Sequence, residues 1–235
     1  NLILRQNKFF MKKKNTTDKH FANIEEGLSK TEQFVEKNWK IWGSIIGLLI
    51  SIFIGYYLYQ NLYKVPRNET AQNQLFIGEQ YFEKDSFRLA LNGKDNFDGF
   101  ISISEKYSNT KSGQLATYYS GISYLRIGEY ENAIRMLDEF NSDDNLLMSI
   151  ANTAIGDSFS ELNQPEEAIE YYKKAIKIHS NKITTPIILM KCAILHELQE
   201  EYQEAVDCYT TIKEQYPESK LAENIDKYIE KVNFK

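Results

Sequence analysis

The sequence predicts an all-α protein: a single N-terminal transmembrane helix, then an α-solenoid of three to four stacked helix pairs closed by a C-terminal capping helix. Three observations predict it. Ile41 to Tyr59 runs for nineteen residues without a charge. The stretches GISYLRIGEYENAIRMLDEF, GDSFSELNQPEEAIEYYKKA and AILHELQEEYQEAVDCYTTI, starting at Gly121, Gly156 and Ala193, agree position by position. Leu221 to Val232 carries Leu221, Ile225, Tyr228, Ile229 and Val232 at helical spacing.

At 235 residues and 42% hydrophobic, the chain is large enough for one good-sized domain plus an appendage. Its net charge of −5 is unevenly spread. Residues 1–40 hold nine Lys and Arg against five Asp and Glu, whereas residues 60–235 hold nineteen against twenty-eight. So acidic a body argues against nucleic acid as its ligand, because phosphate binding needs a basic surface. Cys192 and Cys208 are too few for a disulfide framework and lack CxxC spacing.

Residues 1–17 are expected to be disordered, with Met11 before Lys12, Lys13 and Lys14 as a candidate start. Residues 18–40 place Phe21, Ile24, Leu28, Val35 and Trp39 at near-helical spacing among charges, which reads as an amphipathic cytoplasmic helix. Residues 41–59 follow. At about 1.5 Å per residue they match the ~30 Å hydrocarbon core of a bilayer, with Trp39 and Trp42 at one end and Tyr56, Tyr57, Tyr59 and Tyr63 at the other, where such rings favour headgroups. The segment is too long for a signal-peptide core, and Tyr residues stand where small cleavage residues would be needed. Lys30, Lys37 and Lys40 outnumber Lys64 and Arg67 across it, so the positive-inside rule places the N-terminus in the cytoplasm and the solenoid across the membrane. In a bacterium that is the periplasmic side of the inner membrane. Gly43, Gly47, Ser51 and Gly55 recur every fourth residue, a small-residue face suited to another helix, from a partner or a second copy.

The repeats begin 35 and 37 residues apart, a period that belongs to stacked helix-turn-helix arrays. Gly121, Gly156 and Ala193 let the first helix of each pair approach the second, and Ala133, Ala168 and Ala205 do the same from the second. Tyr124, Phe159 and His196 are expected to fill the wedge between them. No pair can cover its apolar face alone, so neighbours stack. Residues 60–113 hold a linker and a diverged first unit, in which Gly78, Tyr81, Phe87, Ala90 and Leu91 repeat the spacing until Asn92-Gly93 interrupts it. An inserted loop is expected near residues 84–96. Three full repeats occupy 114–220, and 221–235 caps the open end.

The small-xx-aromatic pattern, the Ala nine residues later, Leu137, Tyr172 or Tyr209 four beyond that, and Pro217 past the last copy resemble the tetratricopeptide repeat. The wider layout, EKNWKIW leading into one membrane helix, then QYFEKDSFRLALNG and a few degenerate repeats, resembles the ancillary SecYEG translocon subunit family (YfgM-like) in its Bacteroidetes-type form. That resemblance implies an inner-membrane protein with a periplasmic repeat domain. It further implies association with the secretion translocon and with a membrane-anchored periplasmic chaperone of the prolyl isomerase type.

Motifs of catalysis are missing: there is no nucleophile elbow, phosphate-cradling glycine loop or HExxH, which points away from an enzyme and from a cofactor. Cys192, His196 and Cys208 form the best constellation for a metal, two sulfurs and an imidazole on adjoining helices that could bind zinc or copper. Core packing is the simpler role, since His196 stands at the wedge position of Tyr124 and Phe159. Pro165-Glu166-Glu167 and Glu200-Glu201 read as solvated helix starts and turns, where acids are favourable.

Such arrays bind on the concave face built by the first helices. The repeat register directs Leu115, Tyr118, Ile122, Ile150, Thr153, Asp157, Ile187, Met190 and Ile194 there. This face reads as apolar, so an extended or helical apolar segment is the expected ligand, unless the cap or the first unit covers part of it. The function expected from all this is a non-enzymatic adaptor at the translocon. A scaffold for another envelope assembly machine, cell wall or outer membrane, is the alternative.

Overall fold

A turn of fixed geometry, made four times, organises the repeat region of the computed structural model, which describes residues 37–234. The backbone N–H groups of Ser86, Glu129, Gln164 and Glu201 each donate to the carbonyl five residues earlier, on Tyr81, Tyr124, Phe159 and His196, all at 2.9 Å. The residue just before each donor, Asp85, Gly128, Asn163 and Glu200, is left-handed, with φ of 55°, 80°, 58° and 64°. This is the six-to-one closure that ends an α-helix and frees the chain to reverse. The first unit makes it as faithfully as the three full repeats.

The helix pairs on either side of these turns are α2 (Val65–Glu83) with α3 (Phe87–Asn92), α5 (Lys111–Arg126) with α6 (Tyr130–Glu139), α7 (Asn145–Glu161) with α8 (Pro165–Ile178), and α9 (Thr184–Leu198) with α10 (Tyr202–Gln215). The chain reverses between pairs as well. There Thr110 accepts from Gly113 N–H at 3.0 Å, Asp144 from the N–H groups of Leu146 and Leu147 at 2.9 and 3.2 Å, and Asn181 from those of Ile183 and Thr184 at 2.8 Å each. Short polar side chains thus satisfy the orphan donors that start the three first helices.

Within each pair the expected small residues are in place. Ala90, Ala133, Ala168 and Ala205 are all fully buried. A Cβ added at Gly121 would fall 2.4 Å from Leu137 Cγ, and one at Gly156 would fall 2.6 Å from Tyr172 Cδ1. The helices therefore meet at a distance only hydrogen permits at those positions. Apolar clusters lie between successive layers: Phe140, Ala151 and Ile155 join α6 to α7, while Ile169, Tyr172, Ile188 and Cys192 join α8 to α9.

In the first unit the interruption falls at residues 93–99, because residues 84–86 are spent on the ordinary repeat turn rather than on the inserted loop. Gly93 and Gly99 both adopt positive φ, 80° and 82°, and their backbones approach so closely that a Cβ on either would clash with main-chain atoms. The loop returns Phe97 and Phe100 beneath Gly78, where a Cβ would lie 2.8 and 2.3 Å from their rings. These two phenylalanines replace the missing end of the second helix. A further helix, α4 (Phe100–Lys106), then packs on α5. Arg67 fastens the start of α2 to the end of α4, donating to the Lys106 carbonyl with its guanidinium between the rings of Tyr63 and Tyr107.

At the far end a 3-10 turn, Ala222–Asn224, leads into α11 (Ile225–Asn233). Ile225 and Val232 are buried against Ala193, Tyr209 and Ile212, so α11 covers the apolar face that α9 and α10 would otherwise expose. Lys213 pairs with Asp226 and Lys231 with Glu197 around its edge, at 2.6 and 2.9 Å.

The chain divides into two units, Asn1–Leu62 and Tyr63–Lys235, the second comprising all the elements above from α2 onward. In the first, residues 37–58 form helix α1; a π-helical turn, Tyr59–Lys64, runs across the division. The stretch Lys37–Glu83 contains a window with mean hydropathy 1.9 that is not buried at all, so one helix among the described residues is long and apolar enough to cross a membrane. Gly43, Gly47 and Gly55 have open space where a Cβ would stand, and Ser51 donates to the Gly47 carbonyl at 2.8 Å. The expected disordered segment 1–17 and all but the last residues of the amphipathic helix at 18–40 lie outside the described residues.

Candidate functional site

The first helices of the three full repeats, α5, α7 and α9, line one open groove of about 770 Å³. Seven of the nine residues that the register directs to the concave face meet there: Tyr118 and Ile122 on α5, Ile150, Thr153 and Asp157 on α7, and Ile187 and Ile194 on α9. Leu115 does not. It packs against the core of the first unit and borders a separate, more polar cavity beside Ser108 and Asp143. Met190 is turned aside too, one residue off the Ile187-Lys191-Ile194 face, and packs with the cluster that α11 closes.

An ion pair stands inside the groove, which is therefore less apolar than the sequence suggests. Lys191 Nζ lies 2.5 and 2.7 Å from the two Asp157 carboxylate oxygens, and the Tyr172 hydroxyl donates to Asp157 Oδ1 at 2.7 Å. The same ammonium sits 5.8 Å from the centre of the Tyr172 ring. Three helices, α7, α8 and α9, are joined by this one carboxylate. Burial, then the neighbouring Asp157, pushes the Tyr172 phenol well above its ordinary value of 10.0, so it stays a donor.

The register missed Lys191, Arg126, Tyr130, Glu161 and Tyr172. Lys191 was legible, since it lies four residues after Ile187 and so on the same helical face. Tyr172 was not. It belongs to a second helix and enters the groove only because Gly156 leaves room for its ring.

The sequence constellation of Cys192, His196 and Cys208 resolves into packing. Cys192 is buried between α8 and α9 and Cys208 packs against the same cluster. Burial pushes the Cys192 thiol up to about 12, with the proximity of Cys208 adding to it. His196 is buried at the wedge position and donates from Nδ1 to Glu201 Oε2 at 2.6 Å, so Glu201 ties the turn rather than simply facing solvent. Among the described residues no three His, Cys, Asp or Glu side chains are grouped to hold a metal ion.

Comparison with known proteins agrees with the geometry. Two tetratricopeptide repeat family models match residues 150–181 and 189–219, the α7–α8 and α9–α10 pairs. Tetratricopeptide repeat protein 29 from Homo sapiens is 29% identical over 115 residues, covering 46% of this chain and 24% of its own length. The Macaca fascicularis protein of the same name is 30% identical over 104 residues, covering 42% and 22%. The chain thus spans about a quarter of the length of these curated relatives. It carries tetratricopeptide repeats, which are protein–protein interaction scaffolds and generally not enzymes.

Proposed function

We propose that this chain is a membrane-anchored scaffold that holds a protein partner in the α5–α7–α9 groove. One observation carries the reading. A single groove crosses all three full repeats, and its α9 wall presents Ile187 and Ile194 to solvent at 48% and 45% exposure. Isoleucines at seven-residue spacing on an open wall gain most when another apolar chain covers them. Helix α1 is the anchor. Its apolar side chains are exposed along its whole length, as suits a helix solvated by lipid.

The layout supports a finer reading: N-terminus in the cytoplasm, α1 in the bacterial inner membrane, repeats in the periplasm, as an ancillary subunit of the SecYEG translocon. There the groove holds a membrane-anchored chaperone or an emerging polypeptide, and the Gly43, Gly47, Ser51 and Gly55 face of α1 meets a translocon helix or a second copy. A mild-detergent pull-down of the intact protein with quantitative mass spectrometry tests it. Translocon subunits should be lost with Gly43→Leu/Gly47→Leu and a chaperone lost with Ile187→Asp/Ile194→Asp. Recovery of no translocon component by the unmutated protein would sink the finer reading.

A further inference from the structure

Helix α9 shows solvent its aliphatic side chains rather than its charges. The exposed positions within Thr184–Leu198 are Ile187, Ile194 and Leu198, and Ile183, just before the first turn, is exposed as well. Ile183 and Leu198 stand 78% and 73% in solvent at the two ends of this stripe. At 3.6 residues per turn the four side chains lie within roughly 60° of one another around the helix, so they form one continuous line. The other first helices differ. α5 exposes Lys111 and Arg126, and α7 exposes Asn145, Leu146 and Glu161.

The stripe reads the same from either end. Ile183, Ile187, Ile194 and Leu198 are separated by 4, 7 and 4 residues, with Lys191 beside the midpoint. Such symmetry is matched by the same helix running the other way. A two-fold axis beside the middle of α9 sets Ile183 against Leu198 of the second copy and Ile187 against its Ile194, and the reverse. We infer that this chain forms a homodimer in which α9 packs antiparallel on α9 of a second copy. The inference rests on the scaffold reading of the groove and names what covers its α9 wall.

Charge fits this pairing. A bare Lys191 beside the axis would meet itself as a like charge. Asp157 prevents that: it holds the ammonium at 2.5 Å, and the two side chains remain 35% and 30% exposed for Lys191 and Asp157. Around the axis the two ion pairs bring two cations and two anions together, so each Lys191 gains the second copy's Asp157 as a neighbour and no charge is left unmatched. Glu197, the acid of α9 itself, is already engaged by Lys231 of α11 at 2.9 Å. The contact runs about 22 Å along the helix, less than a standard interface of about 800 Å² a side would use. Confinement of both copies to one membrane by α1 raises their effective concentration and offsets the small area.

The test uses two differently tagged full-length copies made in the same cells, one carrying Ile183→Cys and the other Leu198→Cys, both at strongly exposed positions. Isolated membranes are treated with a short bis-maleimide, and copies with only the natural Cys192 and Cys208 set the background. A cross-linked dimer bearing both tags should form at about tenfold the yield given by two Ile183→Cys copies, whose thiols the antiparallel pairing holds about 22 Å apart. Ile187→Asp/Ile194→Asp in both copies, altering only exposed side chains, should cut that yield about tenfold, because it sets carboxylates in an apolar contact. Absence of the mixed-tag dimer, equal yield from two Ile183→Cys copies, or a dimer that survives Ile187→Asp/Ile194→Asp, as one held by the α1 glycine face alone would, overturns the inference. If the mixed-tag dimer is absent while the pull-down still loses a partner with Ile187→Asp/Ile194→Asp, the stripe serves an unlike protein: the inference falls and the scaffold reading stands. The expected cross-links with no other protein recovered in the pull-down leave the inference standing and remove the proposed function instead.

Discussion

Tyr172 lies with its ring against Gly156 and its hydroxyl 2.7 Å from Asp157, so one side chain both fills the α7–α8 interface and fixes a charge in the groove. Core and site share an atom-level contact here. Changes at this point should therefore be felt in both.

Gly156→Ala puts a methyl group 2.6 Å from Tyr172 Cδ1 and 3.0 Å from the Ala168 carbonyl. Overpacking of this kind costs about 1–3 kcal/mol. Gly128→Ala is the contrast: its Cβ would meet nothing closer than Tyr130 Oη at 3.9 Å, and only its φ of 80° opposes the change, at about 1 kcal/mol. Thermal unfolding should show the larger loss for Gly156→Ala, with groove binding weakened by that variant alone.

Asp157→Ala removes the acceptor of both Tyr172 and Lys191 and leaves an ammonium facing the groove with no counter-charge. The pair is about one-third exposed, so the expected loss is about 1–2 kcal/mol rather than that of a fully buried pair. Lys191→Met, which keeps the stem, should cost less. Denaturant titration of the two variants checks the order.

Raised phenol pKa values tie folding to alkaline pH. Burial, with Asp157 beside one and Glu197 beside the other, holds Tyr172 and Tyr209 above the ordinary 10.0. A group that binds its proton more tightly when folded stabilises the fold fully below its unfolded pKa, and that contribution drains away as pH climbs through the folded value. Stability should therefore be level with respect to these two groups up to about pH 10 and fall above it. Tyr172→Phe/Tyr209→Phe should flatten the fall in denaturation midpoints measured from pH 8 to 12.

Capping can be broken from one helix. Ile225→Asp sets a carboxylate where the side chain is fully buried against the cluster of Tyr209 and Ile212. Release of α11 would bare that cluster, as expected when a terminal repeat loses its cap. Light scattering on mild heating should rise well before it does for the unmutated protein. Phe234→Asp, at a 90% exposed position, should behave normally.

The repeat register was legible because each close approach needs a particular residue. Only Gly fits at positions 121 and 156, and the Ala residues at 133, 168, 193 and 205 are fully buried, so the spacing printed itself in the sequence. The exact place of the interruption in the first unit was not legible. Asp85 and Ser86 complete a turn whose closing bond comes from backbone, and backbone writes no residue pattern. In the groove, Ile122, Ile150 and Ile187 followed from helical periodicity, whereas Met190 failed because α11, a separate element, gathers its side chain into another cluster.

What the sequence determined by itself was local and periodic: helices, their pairing, three to four units, a cap and one uncharged helix of membrane length. Those features depend on spacing along single helices and on the recurrence of that spacing, which alone dictates which side chains of a helix share a face. Tertiary structure decided which charges meet. Asp157 and Lys191 are thirty-four residues apart on different repeats, and only the stacking of α7 on α8 and α9 brings their side chains within 2.5 Å.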